Sequence, residues 1–82
     1  MNDADIHQHI ESLVQREHEL LDKASAEGHG LSADERKELD AAQVQLDRYY
    51  DLLRQRRARE EFGQDPNDTA MRSGKTVERY LQ

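Results

Sequence analysis

Residues 31–63 read LSADERKELDAAQVQLDRYYDLLRQRRAREEFG, and this stretch decides the fold. Leu39, Ala42, Leu46, Tyr49 and Leu53 recur at 3-4-3-4 spacing, the heptad seam of a helix that packs along one side. Ser32-Ala33-Asp34-Glu35 is a capping box in which the hydroxyl caps an early amide and the glutamate reaches back. At the far end, arginines in the last turns precede Phe62 and Gly63, the usual stop signals. A helix over 33–62 is predicted, roughly 43 Å long at about 1.5 Å per residue. Val44, Tyr50 and Leu52 lie off the seam and are assigned to a second packing surface.

The segment before it has the same character. Ile6, Ile10, Leu13, Leu20 and Ala24 fall at 4-3-7-4 spacing, Glu17 interrupts them, and Val14 and Leu21 widen the seam into a stripe. A helix over about 4–25 is predicted, with Asp3 and Asp5 as caps and as charges favourable to the helix dipole. The connection AEGHGL, residues 26–31, places two glycines where a helix has to end. So short a loop makes the helices antiparallel. The expected architecture is all-α: a coiled-coil-like hairpin over 1–63, followed by a linker and short C-terminal segment over 64–82. Residues 64–75 (QDPNDTAMRSGK) read as an irregular or mobile stretch, and Val77, Tyr80 and Leu81 as a docking motif in the tail.

Composition limits the possibilities. The chain has 82 residues, 34% hydrophobic and 37% charged, with no cysteine and no tryptophan. One domain is the most that this length allows. Disulfides, thiolate chemistry and cysteine-based zinc sites are excluded. No apolar run approaches the roughly 18 residues of a membrane span. The acidic, polar start MNDADIHQHIES is unlike a signal peptide, so the cytoplasm is the expected compartment. The apolar seams are thin for helices of this length. Self-association is therefore expected, as a homodimer forming a four-helix bundle around Ile6, Ile10, Leu13, Leu20, Leu39, Ala42, Leu46, Tyr49 and Leu53.

The C-terminal half has a recognisable string. VQLDRYYDLLRQRRAREEFG, then QDP, then a terminal VERYLQ resembles a family of small bacterial proteins classified as a domain of unknown function, numbered twenty-six thirty. The resemblance is carried mainly by residues 31–82 and most specifically by DLLRQRRA through EFG. It implies a small helical cytoplasmic protein and brings no activity. A weaker similarity is to hairpin-shaped anti-sigma factors that bind a cyclic dinucleotide through Glu, Ser, Arg, Gln and Asp at helical spacing. The series is absent here: Leu39 follows Glu35, and Ala42 follows Glu38, where serine is required. That ligand cannot be carried over.

Charge is unevenly distributed. The formal net charge is −6, and residues 1–30 hold seven acids against two bases, yet Arg54, Arg56, Arg57 and Arg59 crowd into six residues. The ordinary reading is favourable placement of cations at a helix C-terminus, with Glu60 and Glu61 partly neutralising them. The functional readings are a surface for a partner protein or, as the alternative, a grip on nucleic acid or an anionic nucleotide, with Arg56 and Arg59 holding one anion together. No aromatic residue is interleaved between 54 and 59, which weakens the nucleic-acid reading. Tyr50 is the aromatic anchor candidate on the same helix.

Other chemistry fares worse. His18 has Gln15 three residues before it, so the Glu-x-x-His pattern of bundle metal sites fails. His7 with Glu11, and His18 with Asp22, offer two-ligand pairs only. Ser12, Ser25, Ser32 and Ser73 lack a recognisable base partner, and SGKT at 73–76 lacks the upstream glycines of a phosphate loop. No enzyme activity, metal or cofactor is expected. The expectation is a small interaction or regulatory protein that associates with itself and with a partner protein through Tyr50, Arg54, Arg56, Arg57 and Arg59 and the tail motif.

Overall fold

The computed structural model describes residues 1–74; the tail motif Val77, Tyr80 and Leu81 lies outside the described residues. Helices α1 (Asp3–Glu27) and α2 (Ala33–Glu61) pack against each other as an antiparallel hairpin, with no strand among the described residues.

Local chemistry sets all four helix ends. The α1 cap is Asn2, not Asp3 or Asp5: its side chain accepts from the Asp5 N–H at 2.8 Å, and the Asp5 carboxylate reaches back to the Asn2 N–H. Asp5 thus plays the glutamate's part in a capping box, one methylene shorter in reach. The other end of α1 extends to Glu27, where Gly28 adopts a left-handed φ of 75° and donates to the Ala24 carbonyl. The Ser32–Glu35 box at the start of α2 forms as expected, with both bonds near 3 Å. α2 stops in a Schellman motif. Gly63 takes φ 68° and donates to Glu60, and Gln64 donates to Arg59 at 2.7 Å.

The two seams meet inside the hairpin. Ile6, Ile10, Leu20, Ala24, Leu39, Ala42 and Leu46 are buried, while Leu13, Tyr49 and Leu53 are half-buried. Leu52 also belongs to this core, at 5% exposure, although the heptad places it off the seam. Ion pairs lace the hairpin along its length: Lys23 to Glu35 near the loop, Arg16 to Glu38 at 2.6 Å, and Arg56 to Asp3 at the open end.

Residues 64–74 are largely irregular, as the composition suggested, but they are fastened. They turn at Asp65–Asp68 and run back along α2 toward its start. The Pro66 carbonyl accepts from Arg56, the Ala70 carbonyl from Gln55 at 2.9 Å, and the Arg72 carbonyl from Arg48 at 2.9 Å. Met71 packs on the core, and Gly74 lies so close to Val44 that a Cβ there would sit 2.5 Å from its Cγ1. This strap is the surface that the off-seam residue Val44 serves.

Candidate functional site

The arginine end divides into inward and outward members. Arg56 is 6% exposed and faces the junction of α1, α2 and the strap. Its Nε donates to the Asp3 carboxylate, and its Nη1 lies within 3.1 Å of the Met1 and Pro66 carbonyls and the Asn67 side-chain oxygen. A guanidinium suits this position because it presents several fixed donors and remains charged. Arg59 is turned to the strap, 3.5 Å from Asp68 and 3.3 Å from the Gln64 side chain. Arg56 and Arg59, expected to hold one anion together, are thus each turned to partners within the chain. The fold-back at Pro66–Asn67 covers Arg56 and accepts from its Nη1, while Asp3 accepts from its Nε.

Beside them lies a buried acid that the heptad reading passed over. Asp51 is 4% exposed in the middle of α2. Gln55 donates to it at 2.8 Å, and Arg72 of the strap reaches it at 3.6 Å. Arg54 stands 4.0 Å away and keeps more than half of its side chain exposed. Its sequence signal is an acid set between Tyr50 and Leu52, where the helix is otherwise apolar.

The outward members are Tyr50, Arg54 and Arg57. At i, i+4 and i+7 they share one stripe of α2. Tyr50 is 46% exposed, and Arg54 and Arg57 are exposed. Arg57 has no hydrogen-bond or ion-pair partner among the described residues. The stripe lies between the side of α2 that meets α1 and the side that meets the strap.

Two shallow grooves flank α2. One, of about 220 Å³, is lined by His9, Ser12, Leu13, Gln45 and Tyr49, with the His9 and Tyr49 rings stacked at 5.1 Å. The Ser12 hydroxyl donates to the Gln8 carbonyl within its own helix. The other is lined by Gln55, Ala58, Arg59, Gln64, Arg72 and the exposed Phe62. Among the described residues no three histidines or acids converge as a metal site, and no helix is long and apolar enough to cross a membrane.

Charge pairs away from this end have clear electrostatic causes. The Glu38 carboxyl is held below its ordinary value by the Arg16 hydrogen bond. Glu35 is lowered first by the Ser32 backbone N–H and side chain, then by Lys23. Arg16 is raised by Glu38 and Glu19.

The chain belongs to the family described as "Protein of unknown function (DUF2630)", whose model matches residues 2–82. Among curated proteins it is 38% identical over 73 residues to uncharacterized protein Rv0898c of Mycobacterium tuberculosis (strain ATCC 25618 / H37Rv). The same values hold for uncharacterized protein Mb0922c of Mycobacterium bovis. Each alignment covers 88% of this chain and 82% of the relative. No solved structure gives a significant match.

Proposed function

We propose that this protein is a noncatalytic interaction protein of the cytoplasm, regulatory in role, whose contact surface is the outer stripe of α2 around Tyr50, Arg54 and Arg57. The observation that carries the reading is the division of the arginines. Arg56 and Arg59 brace the fold, while Arg57 has no partner among the described residues and stands one turn from Arg54 and two turns from Tyr50. Tyrosine and arginine are the residue types that most often dominate protein contacts. Their setting is rigid, because the strap and the N-terminus are bolted to the same helix through Arg56. Two outward arginines on a chain of net charge −6 make a poor track for a phosphate backbone, so an acidic protein surface is the better match.

The test is a photo-crosslinking residue placed at position 57 in living host cells, with products identified by mass spectrometry. A discrete protein adduct, lost when Tyr50→Ala and Arg54→Ala are added, is expected. Adducts to nucleic acid alone, or none, would reject the reading.

A further inference from the structure

The outer stripe of α2 has a pattern beyond Tyr50, Arg54 and Arg57. Extended in both directions at heptad spacing, it contains Arg36, Asp40, Gln43, Asp47, Tyr50, Arg54, Arg57 and Glu61. All are exposed except Asp47, which is half-buried. Arg36, Asp40, Asp47, Arg57 and Glu61 enter no ion pair among the described residues, although Arg36 and Asp40, and likewise Arg57 and Glu61, stand one turn apart.

The order of these residues is its own complement when reversed. Turned about a point midway between Asp47 and Tyr50, Arg36 falls opposite Glu61 and Asp40 opposite Arg57. Gln43 falls opposite Arg54, and Asp47 opposite Tyr50. Each position meets an opposite charge or a hydrogen-bonding partner, and no like charges are set opposite each other. The turning point lies close to the middle of α2 (Ala33–Glu61), so two such helices would overlap along nearly their whole length. A two-fold interface requires this kind of self-complementary patch.

We infer that the partner of this stripe is a second copy of the chain, with α2 lying antiparallel on α2 about a two-fold axis beside Asp47 and Tyr50. This rests on the reading of the outer α2 face as a protein-contact surface, and it names the occupant. The seam expected to mediate pairing is largely spent inside one hairpin, where Ile6, Leu20, Leu39 and Leu46 are already buried. A second copy has to use another face, and this one is matched to itself in charge. Asp40 with Arg57 and Arg36 with Glu61 each occur twice by symmetry. The phenol of Tyr50 is set to donate to the partner copy's Asp47 carboxylate.

The experiment is sedimentation equilibrium on the purified full chain, at about 0.1 M and about 1 M salt, over which the screening length falls from roughly 10 Å to roughly 3 Å. A dimer that loosens at high salt is expected. Asp40→Arg alone and Arg57→Asp alone each set like charges opposite each other at both symmetric positions, and each should weaken the dimer about tenfold or more. The combined Asp40→Arg/Arg57→Asp chain restores both pairs and should recover most of the loss. Circular dichroism of each variant confirms that the exposed substitutions leave the helices intact.

A monomer under all conditions, or a dimer indifferent to the single reversals, overturns the inference. So does failure of the double reversal to recover binding. If the chain is monomeric yet the crosslinker at position 57 captures another protein, the contact-surface reading stands and the second copy is ruled out as its occupant. If neither is seen, both are rejected.

Discussion

Arg56 and Asp3 are 53 residues apart in sequence and form an ion pair whose two sides differ in environment: the arginine side chain is 7% exposed and the carboxylate 54%. The pair is one member of a larger group, since Arg56 also binds the Met1 and Pro66 carbonyls and Asn67. One side chain thus ties the N-terminus and the strap to α2. Arg56→Ala removes a buried guanidinium and its bonds to acceptors that solvent can still partly reach. The expected loss is about 1–3 kcal/mol, large for a domain of this size. Arg56→Lys keeps the charge but not the fork of donors and should recover less than half of it. Urea unfolding measures both. A change within about 0.5 kcal/mol, the ordinary range for surface substitutions, would show that the group is not a structural bolt.

The strap depends on a second buried charge. Asp51 receives Gln55 from its own helix and Arg72 from the strap. Asp51→Ala and Arg72→Ala should each loosen residues 66–74 and speed their amide exchange. Because both substitutions break the same contact, their effects on stability should fall short of additivity by roughly 0.5–3 kcal/mol in a double-mutant cycle. Additive losses would mean that the two residues act independently.

Helix ends were legible in the sequence wherever the stop or start is written in side chains. Ser32 and Glu35 announced the second capping box, and Gly28 and Gly63 marked the two stops. The first cap was misplaced because Asn2-x-x-Asp5 does the work of the commoner Ser-x-x-Glu with a shorter acid. The strap was not legible as an ordered element. Three of its bonds to α2 use the Pro66, Ala70 and Arg72 carbonyls, and every residue has a carbonyl, so no side-chain pattern announces them. For the same reason the spacing sets Arg56 and Arg59 on one side of the helix without saying that this side is covered. Which arginine turns inward depends on where residues 66–67 fold back, which heptad arithmetic does not contain.

Gly63 gives a direct test of the α2 stop. Its φ of 68° lies in the left-handed region, and no heavy atom is within 4 Å of where a Cβ would stand. Gly63→Ala therefore suffers from backbone conformation alone and should cost about 1 kcal/mol. Ser32→Ala, which removes the hydroxyl accepting from Glu35, should cost a similar amount, about 1 kcal/mol. Thermal melts of the two single variants and the double variant check this. The ends lie at opposite ends of α2, so the losses should add. A stabilised Gly63→Ala would show that the chain leaves α2 by another turn.

The response to acid follows from Glu35 and Glu38. Both carboxyls are held below 4.5 in the folded protein, Glu35 chiefly by Ser32 and Glu38 chiefly by Arg16. In the unfolded chain they titrate near that ordinary value. Just below pH 4.5 the unfolded state therefore binds more protons than the folded one, and stability falls as pH drops through this window. Above it their full contribution is present and flat. A Glu35→Gln/Glu38→Gln chain lacks both groups, so its melting temperature should start lower at neutral pH. Its decline below pH 4.5 should then be shallower, and the two curves should converge in acid. High salt should shrink the Glu38 part more than the Glu35 part, because an exposed ion pair is screened while a bond to the Ser32 N–H is local. Parallel curves from neutral pH into acid would mean that neither carboxyl contributes to the stability of the fold through its charge.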